Sequence, residues 1–312
     1  FNTEGNGNGM LERLKWPGAA AALAVLGAAI RRWQLGSAFD GEGLAQPGAP
    51  ASWAMIAFYI LAGAVLLCLA RSTPAAKKPG KRLTAWDTAF AAENDSVYLT
   101  LMVAAALLAL AAAPLLFREA AQLMAVHKYT GEGDNGLLQV ILAVCTVAVC
   151  VALLYAAQSG YRMRGRGREN AALLLPVLMC CLWMLESYRA NAAHPERWSY
   201  VPLLLAAALG LLFYLDCAGL AFDKGHPRRM LWLAGMTAVA SGVALAGLPG
   251  YAAAALLASQ ALAALAVLWL VPGNLRNPPG ADRFGKKDEN ERDGGEQDAP
   301  AAQEIQEEDS HV

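Results

Sequence analysis

The chain has 312 residues, of which 56% are hydrophobic and only 16% are charged. Because soluble domains carry roughly 25% charged residues, this composition excludes a soluble nucleic-acid binder, a fibrous protein and a disulfide-rich secreted domain. The net charge of −1 hides two opposite regions, since residues 288–312 hold ten acidic residues and a single basic one. The composition therefore predicts a multi-pass membrane protein with a basic body and an acidic tail.

The first nine residues are rich in Asn and Gly and precede Met10. They predict a remnant of an expression sequence, with the native start at Met10. After it, eight stretches have the roughly 20 mostly apolar residues that a membrane helix needs. They lie at about 16–33, 51–70, 97–117, 137–157, 171–189, 200–221, 230–247 and 251–271. The sequence thus predicts an all-α, polytopic bundle of about eight transmembrane helices over residues 10–275.

The first span is the weakest of the eight. Its uninterrupted apolar core runs only from Ala19 to Ile30, between Lys15 and Arg31. A segment of this kind is also typical of a signal peptide. The sequence lacks a good small-x-small cleavage site before Arg31, which favours a retained helix whose terminal Lys and Arg snorkel to the interfaces.

Orientation follows from the basic residues that flank the spans. With the N-terminus inside, 19 Lys and Arg residues fall on the inner side and six on the outer side. Successive segments between the spans alternate between many and few basic residues. This bias predicts that both termini are cytoplasmic. The longest outer loops are predicted at about 34–50 and 118–136, and residues 276–312 are predicted to form a disordered acidic cytoplasmic tail.

The inner segment 71–96 admits two interpretations. Residues 83–95 form either a short amphipathic helix along the inner surface, with Trp86 and Phe90 facing lipid, or simply the entry to the third span.

Charged residues close to the predicted spans are the candidates for function, because a charge at membrane depth usually faces protein or water. Glu186 and Arg189 lie three residues apart on one face of the fifth span, so they can pair, and Tyr188 lies beside them. Arg118 and Glu119 end the third span on the same outer side, and Arg31-Arg32 end the first span there. These residues predict a polar outer vestibule that binds a solute; the alternative is a salt-bridge cluster that fixes the helix ends.

Asp216 is an acid well inside the sixth span. It predicts a proton or cation site, or alternatively a buried structural pair, with Arg162 at the inner end of the fourth span as its partner.

Two further patterns concern helix packing. Ala238, Gly242 and Ala246 recur every four residues in the seventh span, which is typical of a helix-packing face within the bundle or in a homo-oligomer. Ser259 and Gln260 are the strongly polar pair of the eighth span and predict interhelical hydrogen bonds.

Catalytic and metal-binding motifs are absent from the sequence. It has no Walker loop, G-x-S-x-G, H-E-x-x-H or C-x-x-C motif, and none of the four histidines lies mid-span. We therefore expect no enzyme activity, no cofactor, no metal and no nucleic-acid partner.

Several short stretches resemble uncharacterised multi-pass membrane proteins of anaerobic Gram-positive bacteria. They are Phe39-Asp40-Gly41-Glu42-Gly43-Leu44 with Pro47-Gly48, and Glu186-Ser187-Tyr188-Arg189 with Tyr200 and Ala218-Gly219. The resemblance implies a location in the bacterial plasma membrane and implies no activity.

The sequence as a whole predicts a small-solute or ion transporter, or a permease component without its own ATPase. The eight spans, the minimal loops and the polar residues at both helix ends favour this function. The alternative is a membrane-embedded sensor or scaffold that recruits partners through its basic loops and acidic tail.

Overall fold

A computed structural model gives the fold of the chain. It describes residues 4–39, 44, 46, 48–73, 85–92, 95–130, 136–162, 172–191, 198–222, 224–247 and 250–276. The helices are α1 (Glu4–Ser37), α2 (Pro50–Ser72), α3 (Ala85–Ala89), α4 (Ser96–Thr130), α5 (Leu137–Tyr161), α6 (Leu174–Asn191), α7 (Val201–Ala221), α8 (Pro227–Leu245) and α9 (Tyr251–Arg276). A short 3-10 turn, Trp198–Tyr200, precedes α7.

The all-α prediction is confirmed for the part of the chain that the structure describes. Each of the eight long helices contains most of one predicted span. Five of them, α2, α4, α5, α7 and α9, are long and apolar enough to cross a membrane. The predicted tail after Arg276 lies outside the described residues.

Helix α8 is not among these five, and its place in the bundle explains its composition. It packs against α1, α2, α7 and α9, and thirteen of its residues are buried. Because its neighbours are protein, close packing by Ala, Gly and Ser matters more here than a strongly apolar surface. A central helix can therefore have the length of a span without the hydropathy of one that faces lipid.

The predicted packing stripe lies on this central helix. A Cβ atom on Gly242 would come within 2.8 Å of the Cβ of Ala24 in α1, so the missing side chain admits α1 closely. Ala238 is buried and Ala246 half-buried. The stripe packs within the bundle at Gly242, while contact between two copies of the chain stays a prediction.

Helices α1 and α4 are longer than their predicted spans. Helix α1 begins at Glu4, within the segment predicted to be a remnant, and continues to Ser37. Helix α4 continues to Thr130, so the prediction of an outer loop over 118–136 is wrong for its first thirteen residues. In α4 the added residues are mostly good helix formers such as Ala, Glu, Gln and Met, so helix propensity rather than apolar content extends this helix.

The prediction that Trp86 and Phe90 face lipid is wrong. Both side chains are buried, and their rings stack with centroids 3.9 Å apart. Helix α3 packs against α7 and α9. The side chain of Asn274 in α9 donates to the backbone carbonyls of Ala89 and Ala91, at 2.9 and 2.8 Å. These bonds tie the segment to the bundle.

The predicted interhelical bonds of Ser259 and Gln260 are confirmed. Ser259 Oγ donates to the carbonyl of Ala105 in α4, and Gln260 Nε2 donates to the carbonyl of Ala206 in α7, both at 2.7 Å. Both side chains are buried. Helix α9 is thereby joined to α4 and α7, in the interior, by bonds that depend on register.

Asp95 joins three helices at the predicted inner end of the bundle. Its Oδ1 accepts from the backbone N–H groups of Val97 and Tyr98, at 3.1 and 3.2 Å, and so caps α4. Its Oδ2 accepts from Arg13 of α1 at 3.0 Å and from the indole of Trp269 in α9 at 3.2 Å. One carboxylate thus holds the start of α4 against two other helices.

We expect Asp95→Ala to lower the free energy of unfolding by about 2 kcal/mol, since a cap alone contributes about 1 kcal/mol and the two side-chain contacts add to it. Asp95→Asn keeps a capping oxygen and should lose less than half as much. Denaturant titration of the detergent-solubilised protein measures both. Equal losses in the two variants would contradict the role of the cap.

Candidate functional site

The predicted outer cluster on α6 contacts the neighbouring helix α5. Glu186 Oε1 accepts a hydrogen bond of 3.3 Å from Gln139 Nε2 at the start of α5. Tyr188 and Arg189 are exposed. Gln139 therefore reaches Glu186 from α5, a contact that the sequence did not predict.

The second part of the predicted vestibule lies on α4. Arg118 is exposed, and Glu119 is half-buried beside the start of α9, where a Cβ on Gly250 would lie 3.5 Å from Glu119 Oε1. Helices α4 and α6 both pack against α5. A single vestibule formed by both parts stays a prediction.

Asp216 has a different partner from the predicted one. Its carboxylate accepts two hydrogen bonds from Arg229 at the start of α8, one of them 2.7 Å from Nε and the other from Nη2. The bond to Asp216, together with its charge, raises the pKa of the Arg229 guanidinium. The prediction of Arg162 as the partner is wrong, because the turn after α7 returns α8 alongside it and brings Arg229 to the carboxylate.

The pair is strongly asymmetric in its exposure. The side chain of Asp216 is 4% exposed, whereas that of Arg229 is 58% exposed. A forked guanidinium suits a bidentate contact with a carboxylate. The pair joins α7 to α8 near the predicted inner surface, with the anion inside the protein and the cation toward solvent.

A concave site lies at the C-terminal end of α1. Arg31 is only 2% exposed, although it is charged. Its Nη1 donates to Gln34 Oε1 and its Nη2 to the carbonyl of Ser199, both at 2.6 Å. The ring of Phe39 lies 5.8 Å from the guanidinium carbon. These contacts hold the cation between α1 and the turn before α7.

A cavity of about 660 Å³ adjoins this guanidinium. Gln34 Nε2 donates to Ser52 Oγ at 3.3 Å, which fixes the polar end between α1 and α2. The remaining wall is mostly apolar. The cavity is lined by Arg31, Gln34, Phe39, Gln46, Gly48, Ser52, Trp53, Met55, Ile56, Tyr59, Ile60, Val201, Pro202 and Leu205.

Two polar atoms beside this cavity lack partners within the described part of the chain. They are Arg31 Nε and Tyr59 Oη, and both are buried. Buried donors usually find an acceptor. An anion that came between Arg31 and Tyr59 would supply the acceptor that both groups lack, so the arrangement suits binding of a ligand.

The sequence placed Arg31 at the outer end of the first span, among the residues predicted to line a polar vestibule. Two features of the sequence mark Arg31 as a candidate site residue. Arg31 and Gln34 lie three residues apart, on one helix face, and Arg31 lies on the outer side, against the general bias of basic residues toward the inside. Tyr59 and the apolar wall from α7 give no such signal, because only the packing of three helices brings them to Arg31.

Metal ligands do not cluster in the described residues, where no group of three or more His, Cys, Asp or Glu side chains could hold an ion. The arrangement therefore offers the Arg31 cavity as its best candidate for binding. The chain matches no family model, and no curated protein or solved structure is detectably similar to it.

Proposed function

We propose that the protein is an eight-span integral membrane protein of the bacterial plasma membrane that transports a small solute or ion, alone or as a permease component without its own ATPase. The observation that supports it most directly is the cavity beside Arg31. A buried guanidinium with an unpartnered Nε, next to about 660 Å³ of space, has the size and chemistry of a small-molecule site.

The bundle supports the same proposal. Five helices are long and apolar enough to cross a membrane, and the three other long helices pack with them in the same bundle. The ion pair Asp216–Arg229 supplies charge near the predicted inner surface, and Arg31 supplies it near the predicted outer surface.

The topology is testable by labelling single cysteines in a variant without the six native ones. We expect a cysteine in place of Tyr129, which is 86% exposed, to react with an impermeant maleimide from outside. Cysteines in place of Arg71 or Arg276 should react only after permeabilisation. The basic flanks fix this orientation. Labelling of residues 162–168 from outside would contradict the eight-span arrangement.

Transport itself is testable in proteoliposomes with a panel of inorganic ions and small organic anions. We expect uptake of at least one anion that is lost in Arg31→Gln and kept in Arg32→Gln, whose side chain is exposed. The pair Glu186→Gln and Arg189→Gln, singly and together, tests the other predicted site. A sensor or scaffold would give no uptake with any member of the panel.

A further inference from the structure

The guanidinium of Arg31 carries a charge that the described residues leave without a counter-ion. Two of its five N–H donors bond to Gln34 and Ser199, and its Nε has no partner. None of the described carboxylates forms an ion pair with it. Burying a cation without a counter-charge is costly, so an anion at this position would stabilise the site.

Tyr59 adds a second donor to the same place. Its hydroxyl is buried without a partner, and its side chain lines the same cavity as Arg31. A carboxylate or phosphate oxygen accepts from a guanidinium and a phenol at once, in short charge-assisted hydrogen bonds. The polar end of the cavity therefore fits an anionic head group.

The rest of the cavity fits an apolar chain. Trp53, Ile56 and Ile60 line it. Their side chains are also 66, 52 and 69% exposed, on the face of α2 that is turned away from the bundle. Exposed apolar side chains on a helix of this kind face lipid, so the cavity opens sideways toward the bilayer. Leu205 of α7 forms part of the opposite wall.

We propose that the Arg31 cavity binds a single-chain amphipathic anion, with a carboxylate or phosphate head at Arg31 and Tyr59 and an alkyl chain along Trp53, Ile56 and Ile60. The volume of about 660 Å³ lies within the range of roughly 300–1,000 Å³ that holds one drug-sized ligand, which favours one chain over a whole two-chain phospholipid. This inference rests on the proposed function, because it names the class of solute at the same site.

The test uses the full chain in nanodiscs of zwitterionic lipid, with dodecanoate as the probe. We expect dodecanoate to bind wild type and Arg32→Gln equally, and to bind Arg31→Gln at least tenfold more weakly. Tyr59→Phe removes an unpartnered hydroxyl and should weaken binding about threefold to tenfold, as loss of one hydrogen bond does. Because Arg31 also holds Ser199, the Tyr59 variant keeps the test valid if Arg31→Gln unfolds.

Two further probes separate the head from the chain. Dodecanol has the chain without the charge and butanoate has the charge without the chain, so each should compete at least tenfold more weakly than dodecanoate. A terminally brominated dodecanoate should quench tryptophan emission, and Trp53→Phe should remove that quenching. Adding an anionic two-chain phospholipid to the nanodisc should leave dodecanoate binding within twofold.

Equal binding by Arg31→Gln, Tyr59→Phe and wild type would overturn the inference, and so would butanoate competing as well as dodecanoate or strong competition by the phospholipid. The proposed function fails separately. If dodecanoate binds in the cavity and is never moved across a proteoliposome membrane, the inferred binding site is supported and the proposed transport is contradicted. If a short anion is transported and dodecanoate does not bind, the proposed transport is supported and the inferred ligand class is contradicted.

Discussion

Substituting Gly210 by alanine is expected to cost about 3 kcal/mol of unfolding free energy, since overpacking costs about 1–3 kcal/mol and the displaced hydrogen bond adds to it. Gly210 lies in α7 directly against the side chain of Gln260 in α9. A Cβ there would overlap Nε2 and Cδ of Gln260 and lie 2.6 Å from its Oε1. The carboxamide is fully buried, so it cannot swing into solvent.

The physical consequence is the loss of a specific bond between two helices. A displaced Gln260 can no longer donate to the carbonyl of Ala206, and its polar atoms stay in the interior without partners. Removing the clash should therefore restore the packing. In a Gln260→Ala background, we expect Gly210→Ala to cost less than about 1 kcal/mol, which makes the two changes strongly non-additive.

Gly219 provides the matched control in the same helix. A Cβ at Gly219 would lie 3.5 Å from the nearest atom, an ordinary contact, so Gly219→Ala should be neutral or stabilise α7 by up to about 1 kcal/mol. Denaturant titration in mixed micelles measures all four variants. A Gly210→Ala variant as stable as Gly219→Ala would show that α7 and α9 are farther apart than the structure has them.

The second large effect concerns the ion pair of Asp216 and Arg229. Removing Arg229 is expected to cost much more stability than removing the charge of Asp216. Arg229→Gln leaves a nearly buried carboxylate without its cation, which typically costs about 3–5 kcal/mol. Asp216→Asn leaves a guanidinium whose side chain is 58% exposed and can reach water, so we expect a loss below about 1 kcal/mol. The double variant should recover most of the stability that Arg229→Gln loses.

Lys224→Gln is the control, because it removes the same charge from an exposed side chain of the neighbouring turn. It should change stability by less than about 0.5 kcal/mol. Stability and transport measured together separate the two predicted roles of Asp216. A structural pair predicts that Asp216→Asn keeps uptake, whereas a proton or cation site predicts that uptake is abolished while the fold persists. Equal destabilisation by Arg229→Gln and Asp216→Asn would contradict the asymmetry of burial.

The sequence by itself determined where the helices are. Runs of about 20 apolar residues have few stable states other than a helix, so each predicted span coincides with one helix of the structure. It also identified Ser259 and Gln260 as interhelical donors, because a strongly polar side chain within an apolar helix must find an acceptor on a neighbour. The ends of the helices were harder to predict from the sequence. Helix α4 continues to Thr130 because its last residues are helical without being apolar.

Only the tertiary structure decided which residues meet. Apolar patterning gives no neighbour for a helix, so it could not predict that Asp216 pairs with Arg229 rather than Arg162, nor that Trp86 and Phe90 stack in the interior. The cavity is the clearest case. Arg31 lies on α1, Tyr59 on α2 and Leu205 on α7, and their juxtaposition depends on how three helices pack, because buried packing is a property of pairs of surfaces and not of one segment.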